Sequence, residues 1–202
     1  FIYTETEENF MGREFELKYR ASANQMTAIM ADYDGFREIT METTYYDTPE
    51  RSLAPRHWTL RRRMENGVSI CALKIPCADG GRTEWETEAP DITSGVSELC
   101  KLGAPEELEA LVSGGLEAIC SARFTRQAAL ITLENCTVEL ALDRGFLRGG
   151  ARIELLGEVE VELKSGSDEA ATAFAKALAT KYRLIPESRS KYKRALALTG
   201  AI

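Results

Sequence analysis

Histidine is almost missing: His57 is the only one in 202 residues. That leaves little material for Ser-His-Asp chemistry or for a histidine-rich metal centre. The five cysteines, Cys71, Cys77, Cys100, Cys120 and Cys136, are odd in number, and no two have metal-site spacing. They are expected as free thiols in a reducing compartment, the cytoplasm, rather than as a disulfide frame. Tryptophan is scarce, and Trp58 and Trp85 are expected to pack beneath helices. No apolar run reaches the length of a membrane span, and no signal peptide is visible. Repeats and low-complexity tracts are also missing. The chain has no excess of positive charge, its formal net charge being −7. That argues against nucleic-acid binding through the overall field. An acidic chain can still bind a polyanion, but it must concentrate its cations locally or recruit metal ions.

What is present reads as a folded protein. Hydrophobic residues make up 44% and charged residues 28%, enough for a core without covalent staples. A single domain is expected from Met11 to Ile202, with residues 1–10 a flexible lead-in or an expression remnant. Residues 13–20 alternate, with Glu14, Glu16, Lys18 and Arg20 on one face and Phe15, Leu17 and Tyr19 on the other. Ser22 to Gln25 forms a capping-box pattern, and Met26, Ile29, Met30 and Tyr33 follow at helical spacing before Gly35. Strands are expected over 37–48, 57–64 and 68–76, the last two joined at Asn66-Gly67, and over 81–89. A helical stretch runs over 94–118. Strands resume over 122–133, 137–148 and 152–164. A helix starts at Ser167, with Ala171, Phe174, Ala175, Leu178 and Tyr182 as its stripe, and the tail 188–198 is basic. The fold class is α+β: about eight strands joined by short turns, hence antiparallel, closing into a barrel with two or three helices packed outside.

The polar faces of these strands are unusual. Glu158, Glu160 and Glu162 alternate with Val159, Val161 and Leu163, while Glu139 and Asp143 alternate with Leu140 and Leu142. Arg61 and Arg63 share a face, and so do Lys74 and Ala72. Taken singly, each strand could be a sheet with a wet outer face. Yet three glutamates in a row repel one another unless cations lie opposite. A barrel with its charged faces inward and its apolar faces under helices satisfies every strand at once. Clustered carboxylates without histidine favour hard ions, Mg²⁺ or Mn²⁺. Arg and Lys in numbers favour phosphate oxygens.

Glu14-x-Glu16-x-Lys18 resembles the ExExK signature of the CYTH superfamily, the triphosphate tunnel metalloenzymes. The resemblance spans most of the chain from Met11. Tyr46-Asp47-Thr48-Pro49 resembles the family's YxDTP segment, and Leu60-Arg61-Arg62-Arg63 before Glu65-Asn66-Gly67 resembles its LRxR hairpin. Arg82-x-Glu84, the acidic strands carrying Glu139, Asp143 and Glu158-x-Glu160-x-Glu162, and Ser190-Lys191 complete the order. The resemblance implies a tunnel that binds and hydrolyses a triphosphate, inorganic triphosphate foremost, to diphosphate and phosphate. Thiamine triphosphate hydrolysis, adenylyl cyclisation and non-catalytic polyphosphate binding are the alternatives. It implies Glu14, Glu16, Asp143, Glu158, Glu160 and Glu162 as metal ligands. Lys18, Arg61, Arg63, Lys74, Arg82, Arg126 and Lys191 would hold phosphates, and Glu84 and Glu139 would position basic groups or a water. Glu14, Glu16, Lys18, Glu84 and Glu139 are thereby the catalytic set. Arg123 competes with Arg126, and Lys193 with Lys191. The expected partner is a small triphosphate or polyphosphate, not nucleic acid or membrane, and a homodimer is compatible with the sequence.

Overall fold

The computed structural model describes residues 15–77 and 82–200. Among the described residues, nine strands form one antiparallel sheet in the order β5-β4-β3-β2-β6-β7-β8-β1-β9. In chain order these are β1 (Glu16–Arg20), β2 (Arg37–Asp47), β3 (Thr59–Glu65), β4 (Val68–Pro76) and β5 (Arg82–Glu88). They continue with β6 (Glu117–Thr132), β7 (Cys136–Gly149), β8 (Arg152–Gly166) and β9 (Ile185–Pro186). The helices are α1 (Ala23–Asp32), α2 (Ile92–Lys101), α3 (Glu107–Val112), α4 (Asp168–Tyr182) and α5 (Lys191–Ala197). The single helical stretch expected over 94–118 is two helices, and its last residues already belong to β6.

The sheet curls without hydrogen-bonding shut among the described residues. Inward side chains near its two ends, Arg82 and Glu84 from β5 and Glu16 and Lys18 from β1, line one cavity. The edge strand β9 is two residues long and ends in Pro186, which has no N–H to offer a further strand. Two local features set the curl and the registers. Asn66 and Gly67 both adopt positive φ (47° and 89°) and make the tight β3–β4 hairpin. Gly145 on β7 lies so close to β6 that a Cβ there would fall 2.1 Å from the Arg123 carbonyl oxygen.

Helices cover the apolar outer face in two patches. Over β1, β7 and β8, residues Tyr19, Leu140, Leu142, Val159 and Val161 pack under Met26 and Ile29 of α1 and Ala175 and Leu178 of α4. Over β3, β4 and β5, residues Leu60, Leu73 and Trp85 pack under Val96 and Leu99 of α2 and Leu108 of α3. Each fully buried leucine there stabilises the layer by roughly 1.5–3 kcal/mol. Trp85 is a core residue of this patch, Trp58 packs against it, and His57 is exposed at a left-handed turn.

Helix α5 lies in the basic tail, where no helix is expected from the sequence, and unlike the others it packs against the inner face of the sheet. Ala195 of α5 is buried with Met41, Tyr45, Phe124, Leu147 and Leu156. Met41 and Tyr45 pair with Glu65 and Arg61 and line the same cavity, so this third cluster sits on the inner face. One end of the curl is thus filled by apolar side chains and a helix. The other end stays charged.

Candidate functional site

The cavity enclosed by the curl has a volume of about 720 Å³, within the range of small-ligand sites. Strands β1 to β8 all contribute to its wall. Lys18, Arg61, Arg63, Lys74, Arg82, Arg126 and Lys191 all line it, as do Glu16, Glu84, Glu139, Glu160 and Glu162. Arg126 is the arginine that turns inward; Arg123 points away and pairs with Glu42 at 2.7 Å. Lys191 is buried at the floor, whereas Lys193 is exposed at the border of the same cavity. Arg62 leaves the apolar face by donating to the Ser69 hydroxyl at 2.8 Å. Glu14 lies outside the described residues.

One wall carries four cations, Arg61, Arg63, Lys74 and Arg82, beside the carboxylates Glu65, Glu84 and Glu86. Arg61 and Lys74 reach the two Glu84 oxygens at 2.9 and 3.1 Å. Burial works against the Glu84 carboxylate, but these two cations outweigh it and lower its pKa. Arg63 donates to Thr43 at 3.2 Å and contacts Glu65 at 3.1 Å. Burial, then the neighbouring charges of Arg61 and Arg126, lowers the Arg63 pKa. A wall whose arginines depress one another favours an arriving anion.

The opposite wall is carboxylate-rich. Glu16 stands opposite Glu162 across β1 and β8, and Glu162 stands opposite Glu139 across β8 and β7. This makes a rung of three acids on adjacent strands. Glu16 meets Lys18 at 2.9 Å, Glu162 meets Lys164 at 2.8 Å, and Glu139 lies 3.8 Å from Arg126. Directly opposed like charges need a cation between them. The donor set is all oxygen, without histidine or cysteine, so it suits a hard divalent ion.

Between the walls lies a buried ion network. Lys191 Nζ contacts Glu158 at 2.5 Å, Glu160 at 2.6 Å and Asp143 at 2.7 Å. Arg126 holds both Asp143 oxygens at 2.8 Å and also donates to Glu160. Oxygens of Asp143, Glu158 and Glu160 all lie within 4.8 Å of one another, a spacing that could hold a metal ion. Asp143 and Glu158 are fully buried and do not border the cavity; in this structure their oxygens face Lys191 and arginines. Burial raises the Glu158 pKa despite Lys191. Burial also opposes the Glu160 carboxylate, but Lys191 and Arg126 hold its pKa well below the usual range.

Local sequence explains the placements. Ser190 caps α5 by accepting from the Lys193 N–H at 3.2 Å, which fixes Lys191 in the first turn. Asp47, fully buried, accepts from the backbone N–H groups of Thr48, Leu53 and Ala54 at 2.7, 2.9 and 3.1 Å. It therefore ties down the loop after β2 rather than facing the cavity. Sequence reasoning passed over Glu86, Lys164 and Arg194. Glu86 shares the alternation of Arg82 and Glu84, a signal that was present. Lys164 follows Glu162 by two residues, close to a register shift between β7 and β8. Arg194 stands one helical turn after Lys191.

The curled antiparallel sheet thus has a tunnel-type architecture, with cation-rich and carboxylate-rich walls around one cavity. Residues 12–196 match the CYTH domain, and the chain belongs to that family. It is 28% identical over 194 residues to an inorganic triphosphatase of Haemophilus influenzae, covering 93% of this chain and 55% of that protein. It is 36% identical over 137 residues to a thiamine-triphosphatase of Macaca fascicularis, covering 60% of this chain and 55% of that protein. The chain thus spans about half the length of these curated relatives. Among solved structures, a Pyrococcus horikoshii protein shares the fold with a TM-score of 0.61 at 22% identity, covering 91% and 98% of the two chains. So does an adenylyl cyclase candidate from Hippeastrum described as having a dominant triphosphatase activity, with a TM-score of 0.61 at 16% identity and 91% and 95% coverage.

Proposed function

We propose that this chain is a divalent-metal-dependent triphosphatase that splits a triphosphate, inorganic triphosphate first, into diphosphate and phosphate. The observation that carries the reading is the pair of facing walls: Arg61, Arg63, Lys74 and Arg82 across one cavity from Glu16, Glu139, Glu160 and Glu162. A polyanion alone needs only the first wall. A polyanion bridged by metal needs both. The cationic wall would grip the phosphate chain, with Arg as a planar fork and Lys as a point charge. Glu84 would hold Arg61 and Lys74 in place. Glu16, Glu160 and Glu162, with Glu139, would hold Mg²⁺ or Mn²⁺, which supplies Lewis acidity and makes water a better nucleophile at neutral pH. Water oxygen would bond to the terminal phosphorus, the bridging P–O bond would break, and diphosphate would leave with the electron pair. Glu139 stands at the wall where the water's proton could be taken.

The lining favours a substrate without a ring system. Tyr45 and Tyr192 lie against each other with centroids 5.1 Å apart, and Tyr45 is buried. Phe15 and Tyr192 also line the cavity, but charged side chains far outnumber them there, so charge dominates what a ligand meets. The relatives' names support the triphosphate class and leave inorganic and thiamine triphosphate both in play. The test is phosphate release from tripolyphosphate, thiamine triphosphate and ATP, each with Mg²⁺, with Mn²⁺ and with a chelator. Metal-dependent release, fastest from tripolyphosphate, is expected. Binding of tripolyphosphate without turnover would make the chain a polyphosphate-binding module instead.

A further inference from the structure

Arg194 lies outside the cavity lining, yet it is 2% exposed. Its guanidinium spans two carboxylates: Glu154 at 2.6 Å and Glu158 at 2.9 Å. Glu158 is itself sealed from the cavity, and its other oxygen receives Lys191 Nζ at 2.5 Å. The chain of contacts therefore runs from Arg194 through Glu158 to Lys191 at the cavity floor.

We infer that Arg194 is a positioning residue that acts through Glu158 to keep Lys191 available to a phosphate ligand. The inference rests on the triphosphate reading of the cavity. Four carboxylates, the buried Asp143, Glu158 and Glu160 and the part-buried Glu154, face three cations, Lys191, Arg126 and Arg194. Lys191 touches all three buried acids, so its ammonium is shared between the network and whatever enters the cavity. Arg194 neutralises the oxygen of Glu158 that Lys191 does not touch. Without it, the four acids would face only two cations, and the unbalanced charge on Glu158 would draw Lys191 more tightly into the network. Lys191 would then compete poorly for a phosphate oxygen. A charge deficit beneath the floor thus becomes a loss of affinity above it. Lysine at position 194 would restore the charge but not the two-carboxylate fork, so it should recover part of the effect. A methionine of similar length would recover none.

The experiment is calorimetric titration of inorganic tripolyphosphate into metal-free wild type, Arg194→Met, Arg194→Lys and Glu154→Gln proteins. Thermal melts on each variant will count the folded fraction, so that affinity is referred to folded protein. Arg194→Met is expected to weaken binding tenfold or more, Arg194→Lys to recover at least half of that loss on a logarithmic scale, and Glu154→Gln to change it less than threefold. In turnover, Arg194→Met should raise KM by a similar factor while kcat changes less than threefold. A purely structural role would lower the folded fraction and leave the affinity of the folded remainder unchanged; that result overturns the inference. So would equal weakening by Met and Lys. Wild-type binding with an unaffected Arg194→Met sinks the positioning role alone. No binding by metal-free wild type overturns this inference alone, because the triphosphate reading is tested separately by metal-dependent phosphate release.

Discussion

Replacing Arg126 by methionine removes a cation that two buried acids share. Arg126 holds both oxygens of Asp143 at 2.8 Å and donates to Glu160. Asp143 is fully buried and does not border the cavity, so water cannot replace its lost partner, whereas Glu160 is 8% exposed at the cavity edge. Lys191 remains as the cation for both. Removing one partner of a buried pair costs about 3–5 kcal/mol. With a urea dependence of about 2 kcal/mol per molar, the unfolding midpoint should drop by roughly 1.5–2.5 M at pH 7.5. The deficit should also depend on pH. Burial opposes the Glu160 carboxylate, but Lys191 and Arg126 hold its pKa well below the ordinary 4.5. Such a depressed group gives stability that is fully present above 4.5 and is lost as the pH falls toward its folded value. In the variant the folded pKa rises, and protonation removes the uncompensated charge at a higher pH. The deficit should therefore be smaller at pH 5 than at pH 7.5. Urea melts followed by far-UV circular dichroism at both pH values measure it. A midpoint lowered by under 0.5 M at pH 7.5, or a deficit that grows on acidification, would refute the reasoning.

Three further outcomes are expected. Asp47→Ala strands three backbone N–H groups at the end of β2; the cost is about 3 kcal/mol, a fall in Tm of roughly 6–12 °C read by calorimetry. Gly145→Ala would place a methyl 2.1 Å from the Arg123 carbonyl oxygen, so β6 and β7 must separate; soluble yield and near-UV dichroism should collapse, and a native spectrum would show that the curl does not need this glycine. Arg63→Ala removes a cation from the arginine wall and should raise KM for tripolyphosphate at least tenfold in steady-state assays, with the unfolding midpoint changed by less than about 1 kcal/mol equivalent.

Strand identity and inward charge were legible because each strand carries its own alternation. Glu158-Val159-Glu160-Val161-Glu162 states which side chains share a face whatever the rest of the chain does. The Asn66-Gly67 turn and the Ser22 capping box are likewise local signals. Depth was not legible. Nothing in the alternation distinguishes Glu158, sealed behind the wall, from Glu160 and Glu162, which reach the cavity; that depends on the position of α5. Residues 188–198 read only as a basic tail, and only the assembled sheet shows that helix α5 forms there with its apolar side against the inner face. Strand β9 is two residues long, below the length at which a period exists. Lys164 is shifted by an irregularity in pairing near Thr137 and Val138, which no pattern within one strand announces.

The facing walls are proposed to hold a metal-bridged triphosphate for hydrolysis, and phosphorus NMR of tripolyphosphate incubated with the protein tests this most directly. With Mg²⁺ or Mn²⁺ the account predicts that the triphosphate signals give way to equal parts of diphosphate and phosphate, and that a chelator or Glu160→Gln stops the conversion. Triphosphate that persists unchanged with either metal, or that is consumed equally well in chelator, would contradict it.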